Sequence, residues 1–80
     1  MQLPTAIPQS FCFINNNSAS TLAIFAQAGG NVQNGNVADQ MVAKTTVTKT
    51  AAGSSITIAT GHSTLFVCTT IGVWKQAFDI

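Results

Sequence analysis

The chain has 80 residues, of which 6% are charged, and its formal net charge is +1. Ordinary soluble domains contain roughly 25% charged residues, so this composition excludes both the clustered basic patch that nucleic-acid binding requires and an acidic metal cage. Because 46% of the residues are hydrophobic, the composition also argues against disorder. A chain of this length forms one domain with a marginal core, and contacts with partner chains would stabilise it further.

Residues 1–10 contain Pro4 and Pro8 and show no periodic apolar pattern. This predicts an extended N-terminal arm rather than a packed element, either disordered or lying along a neighbouring subunit. The segment lacks the positive and apolar regions of a signal peptide, so we predict that none is cleaved. The longest apolar runs, such as residues 22–26, are far shorter than the ~20 residues that span a membrane, so we predict no membrane partner.

Alternation of apolar residues predicts strands at residues 11–14 and 21–26. The cluster Asn15-Asn16-Asn17-Ser18 between them is typical of a turn, so we predict that the two strands pair as an antiparallel hairpin. Further along, Asn34-Gly35 predicts a type I′ turn.

The middle of the chain gives weaker signals. The spacing of apolar residues over 37–42 favours one helical turn or an irregular loop. Residues 45–50 predict an edge strand, in which Val47 is the one apolar side chain and Lys49 discourages unwanted pairing.

Residues 53–74 are predicted to organise the fold as a strand, a turn and a second strand. Ile56 and Ile58 alternate with small polar residues, as in a strand with one buried face. Residues 65–68 are apolar on both faces, which is typical of a strand between two packed layers or against a neighbouring subunit. With Gly61-His62-Ser63 as the turn, these strands form a predicted hairpin. The chain is therefore predicted to be all-β: a small antiparallel β-sandwich or barrel of about six or seven short strands over residues 11–80, preceded by the arm.

No residues carry a recognisable catalytic motif. Ser63 directly follows His62 in a predicted turn, and adjacent residues do not set up a nucleophile and its base. No motif brings Asp39 and Asp79 together. The glycine-rich loop over residues 29–35 lacks the lysine and the following helix of a phosphate cradle. We therefore expect no enzyme activity, no cofactor and no metal site.

Cys12 and Cys68, the two cysteines of the chain, each lie in an apolar strand-like run. The favoured interpretation is two buried free thiols that pack as small hydrophobic residues. A disulfide between them would close a long loop and stabilise by about 4 kcal/mol, provided that the strand register allows it.

Trp74, the one tryptophan, has two interpretations. It either packs in the core or at an interface, with its indole N–H bonded to an acceptor, or stacks exposed against a sugar ring. We favour the packed anchor.

Six short segments follow one another along the chain: Phe13-Ile14-Asn15, Thr21-Leu22-Ala23-Ile24-Phe25, Gly29-Gly30-Asn31-Val32, Gly53-Ser54-Ser55, Leu65-Phe66-Val67-Cys68 and Gly72-Val73-Trp74. Their order resembles small β domains of tailed-bacteriophage virion proteins. In that family an aliphatic-x-Asn motif, a strand ending in an aromatic residue, a glycine-rich turn, a Gly-Ser strand start and a terminal Gly-x-Trp recur. Where the family often has a proline after the aromatic residue of the second strand, this chain has Ala26-Gln27.

The resemblance implies a capsid decoration, or cement, protein: a small, non-catalytic β protein, commonly a homotrimer over capsomer junctions. It implies synthesis in the host cytoplasm and localisation in the virion. The implied partners are further copies of the chain and the major capsid protein or other virion proteins, without nucleic acid. The residues that we expect at these interfaces are Pro4, Pro8, Phe66, Trp74 and Phe78.

Two alternatives remain open at this stage. The first is a tail or tail-fibre component that binds host surface glycans through Trp74 and loop asparagines. The second is a free-standing secreted β module stabilised by a Cys12–Cys68 disulfide.

Overall fold

The computed structural model describes residues 1–45, 48–51 and 53–80. Within them there is no α-helix, and hence no helix long and apolar enough to cross a membrane. The regular elements are strands and one short 3₁₀-helix at Val32–Asn34, so the all-β class is confirmed. The strands are β1 (Ser10–Asn15), β2 (Leu22–Phe25), β3 (Gln40–Val42), β4 (Ser55–Ile58), β5 (Ser63–Thr70) and β6 (Val73–Asp79).

The strands form two sheets that share one hydrophobic core. The larger sheet has four strands in the order β1-β5-β6-β3, and the smaller sheet pairs β2 with β4. All pairs are antiparallel except β3 and β6, which are parallel. Side chains from both sheets meet in the core, and they include Ile14, Ile24, Met41, Ile56, Ile58, Phe66, Cys68 and Trp74.

The predicted hairpin between residues 11–14 and 21–26 is wrong. Both strands exist, but β1 pairs with β5 and β2 pairs with β4. The intervening asparagine cluster crosses between the sheets instead of reversing within one. Asn16 is buried, and its side-chain amide donates to the carbonyls of Ser20 and Ile58, both at 2.9 Å.

The hairpin predicted over residues 53–74 is wrong in the same way. Its two strands are present as β4 and β5, but they belong to different sheets. The turn between them includes Gly61 at φ 78°, a left-handed conformation that glycine adopts without strain. The Gly61 N–H donates to the Asn16 carbonyl at 2.8 Å, and the Asn16 N–H donates to the His62 carbonyl at 2.9 Å. Asn16 therefore links both crossings between the sheets.

Two predictions for the middle of the chain have different outcomes. For residues 37–42, the predicted helical turn is wrong: residues 40–42 form β3, which pairs Met41 with Trp74, and residues 38 and 39 belong to no helix or strand, as in the predicted irregular loop. The type I′ turn is displaced by one residue: the positive φ angles fall at Gly35 and Asn36 (66° and 64°), and the Val37 N–H donates to the Asn34 carbonyl.

The predicted edge strand over residues 45–50 is not confirmed. Residues 46 and 47, including Val47, lie outside the described part of the chain. The neighbouring residues 45 and 48–50 belong to no strand. Thr50 instead lies beside β3, where its N–H donates to the Met41 carbonyl at 2.7 Å.

The N-terminal segment is not confirmed as a separate arm. It is extended, but Leu3 and Ala6 are buried in the core. The Leu3 N–H donates to the Phe25 carbonyl, and the Phe25 N–H donates to the Met1 carbonyl, both at 2.8 Å. Residues 1–3 thus extend the smaller sheet beside β2. Two inward side chains are too few to establish a strand or helix period, which is why the sequence pattern did not reveal this packing.

Trp74 anchors the N-terminal segment to the core. Its side chain is fully buried, and its indole Nε1–H donates to the Pro4 carbonyl at 2.9 Å. This geometry matches the packed interpretation of Trp74, because a buried ring with a satisfied N–H cannot stack on a sugar.

A substitution in the N-terminal segment tests its part in the core. Leu3→Ala should lower the free energy of unfolding by about 2–5 kcal/mol, because it leaves a cavity in a packed interior. Ile7→Ala, at a position 41% exposed, is the matched control and should change it by about 0.5 kcal/mol. Urea denaturation followed by Trp74 fluorescence measures both. Equal small losses would show that residues 1–6 do not belong to the folded unit.

A buried hydrogen-bond cluster centred on Asp39 holds the same segment from another side. The Asp39 carboxylate accepts from the Ala6 N–H through Oδ2 at 2.8 Å and from the Asn31 side-chain amide through Oδ1 at 3.0 Å. The same Asn31 amide donates to the Ala6 carbonyl at 3.0 Å, and its oxygen accepts from the Gln33 N–H. Every polar atom of this cluster therefore has a partner.

Replacement of the carboxylate by an amide tests this cluster. In Asp39→Asn, the new NH₂ group would face either the Ala6 N–H or the Asn31 amide, donor against donor. The free energy of unfolding should fall by about 1–3 kcal/mol. Asp79→Asn is the control: Oδ1 of Asp79 accepts from Thr64, and asparagine can keep that oxygen there. Chemical denaturation of the two variants should differ; equal stabilities would contradict the proposed geometry.

Candidate functional site

The face of the four-stranded sheet that points away from the core carries a cluster of exposed aromatic residues. Side chains directly opposite each other in the ladder share a face. The register pairs Phe11 with Val67 and Phe13 with Leu65 across β1 and β5, and it continues across β5 and β6. The outer face, as we name it below, consists of Phe11, Phe13, Leu65, Val67, Lys75 and Phe78.

Three aromatic rings on this face are exposed to solvent. The exposed fractions are 71% for Phe11, 56% for Phe13 and 36% for Phe78. The rings of Phe13 and Phe78 lie with their centroids 6.2 Å apart and inclined at 54°, a normal distance for an aromatic pair. Clustered exposed aromatic residues commonly mark a surface that contacts another molecule.

A β-bulge places Phe78 on the outer face. Trp74 and Gln76 point into the core, so strict alternation would direct Phe78 inward as well. The register pairs Leu65 with Phe78 but Phe66 with Gln76, which leaves Ala77 as an extra residue on β6. One extra residue reverses the side-chain alternation beyond it. Phe78 therefore lies beside Phe13 on the outer face instead of pointing into the core.

The structure separates the five residues that were predicted at interfaces. Phe66 and Trp74 are fully buried by their own chain, so their prediction as contact residues is corrected to core residues. Pro4 and Pro8 have exposed side chains but lie outside the outer face. Phe78 lies on that face. The apolar character of residues 65–68 on both faces has two origins here, since Phe66 and Cys68 face the core whereas Leu65 and Val67 face outward.

Phe11 and Phe13 are the residues of this surface that sequence reasoning missed. Their alternation with Cys12 and Ile14 was visible, but alternation does not reveal which face of a strand is inside. The burial of Ile14 and the exposure of both phenylalanines show that the smaller side chains face the core.

Both cysteines are free thiols in the structure. Cys12 lies opposite Phe66, and Cys68 lies two residues further along β5, opposite Ser10. Residues in such diagonal positions are about 7–8 Å apart, too far for a disulfide without backbone movement. Burial raises the pKa of both thiols above the usual value, which keeps them protonated and unreactive near neutral pH.

The side chains of His62 and Asp79 lie within hydrogen-bonding distance at one end of the larger sheet, a contact that the sequence did not reveal. His62 Nδ1 lies 3.2 Å from Asp79 Oδ1. The neighbouring hydroxyl groups point elsewhere: Ser63 donates to Asn15 Oδ1 at 3.1 Å, and Thr64 donates to Asp79 Oδ1 at 3.2 Å. The imidazole thus has no serine placed for proton transfer among its hydrogen-bond partners, and Asp39 belongs to the separate buried cluster.

An open groove of about 470 Å³ lies between the segment after β3 and strand β4. The residues that line it include Lys44, Lys49, Gln76 and Asp79, together with four threonines. Gln76 is itself buried and accepts from the Lys44 N–H at 3.1 Å. Within residues 1–45, 48–51 and 53–80, histidine, cysteine and acidic side chains form no group of three that could hold a metal ion.

Comparison with protein-family models, curated proteins and solved structures finds no significant match to this chain. Among the described residues, the outer face carries three exposed phenylalanine rings, two of which form a close pair.

Two phenylalanine truncations distinguish the outer face from the core. Phe66→Ala should lower the free energy of unfolding by about 3–5 kcal/mol, because the ring fills the core. Phe11→Ala should change it by about 0.5 kcal/mol, as expected of an exposed site. The same Phe11 variant should elute earlier from a hydrophobic-interaction column than the wild type. A large stability loss in Phe11→Ala would mean that the ring is buried in solution.

Proposed function

We propose that this protein is a non-enzymatic structural protein of a bacteriophage virion, and specifically a capsid decoration protein that binds the shell through its outer face and forms a homo-oligomer. The observation that carries the proposal is the exposed aromatic cluster of Phe11, Phe13 and Phe78 on a rigid sheet. The order of short motifs that resembles tailed-phage virion proteins supports the choice of partner.

Physical considerations favour a permanent binding role for this surface. Burial of apolar area against a shell protein contributes roughly 25 cal/mol per Å², and the rings are already held in place by the sheet. We also propose that the two sheets form a small β-sandwich, because each sheet has its own strand order and both contribute side chains to one core. Such a domain offers a firm platform for binding.

Glycan binding, the first alternative, was predicted to use an exposed Trp74 together with loop asparagines. Trp74 is fully buried, and its indole N–H donates a hydrogen bond to the Pro4 carbonyl. Its ring therefore cannot stack against a sugar. The alternative of a disulfide-stabilised secreted module likewise finds Cys12 and Cys68 as free thiols. Neither alternative has an observation in its favour comparable with the outer face.

Copy number in purified particles tests the proposal directly. Quantitative mass spectrometry of virions from the natural source, with the shell protein as internal standard, should find hundreds of copies per particle. A few copies would indicate a tail component, and none would refute a virion role.

Binding of variants to particles lacking the protein then tests the surface. Phe13→Ser should abolish binding, whereas Phe25→Ser, which removes a partly exposed ring from β2 in the smaller sheet, should leave it intact. Co-sedimentation of the folded variants with the particles measures both. Equal binding by the two variants would mean that the outer face is not the attachment surface.

A further inference from the structure

The two edges of the four-stranded sheet differ in what covers them. At the β3 edge, the Thr50 N–H donates to the Met41 carbonyl at 2.7 Å, and the Met41 N–H donates to the Thr50 hydroxyl at 3.2 Å. β1 forms the opposite edge. The described residues place no strand beyond it, so this edge is open to a partner.

The backbone of β1 directs half of its hydrogen-bonding groups toward that open side. The Asn16 N–H donates to the His62 carbonyl across the β1–β5 register. In an antiparallel ladder, alternate residues face the same neighbour. The N–H and C=O groups of Phe11, Phe13 and Asn15 therefore point away from β5.

Strand β1 also lacks the features by which proteins prevent edge pairing. Its sequence, Ser-Phe-Cys-Phe-Ile-Asn, contains no charge and no proline. Charged residues, prolines and bulges are the usual protection of an edge strand. An open and uncharged edge with exposed aromatic side chains is suited to pairing with another strand.

We propose that β1 pairs in antiparallel fashion with β1 of a second copy about a two-fold axis, which joins the two four-stranded sheets into one. The inference rests on the homo-oligomer of the proposed function and specifies how it forms. A register centred on Cys12 places Phe11 opposite Phe13 of the second copy, and this occurs twice by symmetry. Cross-strand aromatic pairs of this kind stabilise sheets.

The position of Lys75 favours edge pairing over stacking of two outer faces. Lys75 lies opposite Val67 within the outer face, so stacking would bury its ammonium group in an apolar interface. Edge pairing instead leaves the Lys75 ammonium group outside the interface between the two copies. The β6 strands of the two copies are then five strand spacings, or about 24 Å, apart, well beyond the screening length of about 8 Å in physiological salt.

The size of the interface predicts a reversible dimer. Phe11 and Phe13 are 71% and 56% exposed, which corresponds to about 250 Å² of aromatic surface per copy. Twice that area is below the ~1,200 Å² of a standard stable interface. Dimerisation should therefore depend on protein concentration, and the two-fold symmetry gives a dimer where the resemblance implied a trimer.

A matched pair of substitutions at Phe11 isolates the backbone contribution. Phe11→Ser removes the ring, and Phe11→Pro removes both the ring and the outward N–H, while the internal ladder to β5 does not use that N–H. In analytical ultracentrifugation the wild type should show a monomer–dimer equilibrium. The dimer dissociation constant should rise in Phe11→Ser and should be about tenfold higher again in Phe11→Pro, for the loss of two symmetric hydrogen bonds.

Several outcomes would overturn the edge pairing: a monomer at every concentration, a trimer, or equal dissociation constants for folded Phe11→Ser and Phe11→Pro. If the proline variant does not fold, hydrogen exchange of the wild type decides. The amides of Phe11 and Phe13 should become protected as concentration rises, whereas unchanged exchange would refute the proposal. The copy number in particles is measured independently, so failure of the edge pairing and failure of the virion role are distinguishable.

Discussion

The fold depends on one buried carboxylate. Asp39 is 2% exposed, yet it bonds both to the N-terminal segment at Ala6 and to the loop at Asn31, and the strand that pairs with Trp74 begins at the next residue. Buried charge is tolerated only where hydrogen bonds replace water. The N-terminal segment must therefore be correctly placed against Asn31 and Asp39, which lie 25 and 33 residues after Ala6 in the chain, before these hydrogen bonds can form.

Elsewhere in the fold, buried side-chain amides hold separate segments together, a role that ion pairs can have in more highly charged domains. Asn16 links both crossings between the sheets through bonds to Ile58 and to the turn near His62. Gln76 ties β6 to the segment after β3 through the Lys44 N–H. Such bonds are directional and insensitive to salt, so they specify the arrangement of the two sheets although only 6% of the residues are charged.

Local sequence patterns predicted the strands far better than their partners. The alternation at Ile56 and Ile58 and the apolar run at residues 65–68 both mark real strands. The predicted strand partners were wrong because asparagine and glycine turn signals indicate a change of chain direction. They do not indicate whether the next strand belongs to the same sheet. For the candidate site, Phe78 was predicted at an interface and lies at an exposed position, which leaves that role a prediction. The buried position of Phe66 and the outward position of Phe11 depend on which face the second sheet covers. Which face is covered is set by tertiary packing, and local sequence patterns do not contain it.

The bulge at Ala77 has a consequence for how this surface could diverge. Trp74 and Gln76 precede the bulge, and their inward positions are set by the pairing of β6 with β3 and β5. Chain length at Ala77, rather than the identity of any side chain, thus decides whether an aromatic ring or its neighbour is displayed at the end of the sheet. A single codon gained or lost there would reverse the direction of the side chains after it, while Trp74 and Gln76 keep their places before it. Insertion or deletion at Ala77, more than substitution, would therefore change which side chains this end of the sheet presents to solvent.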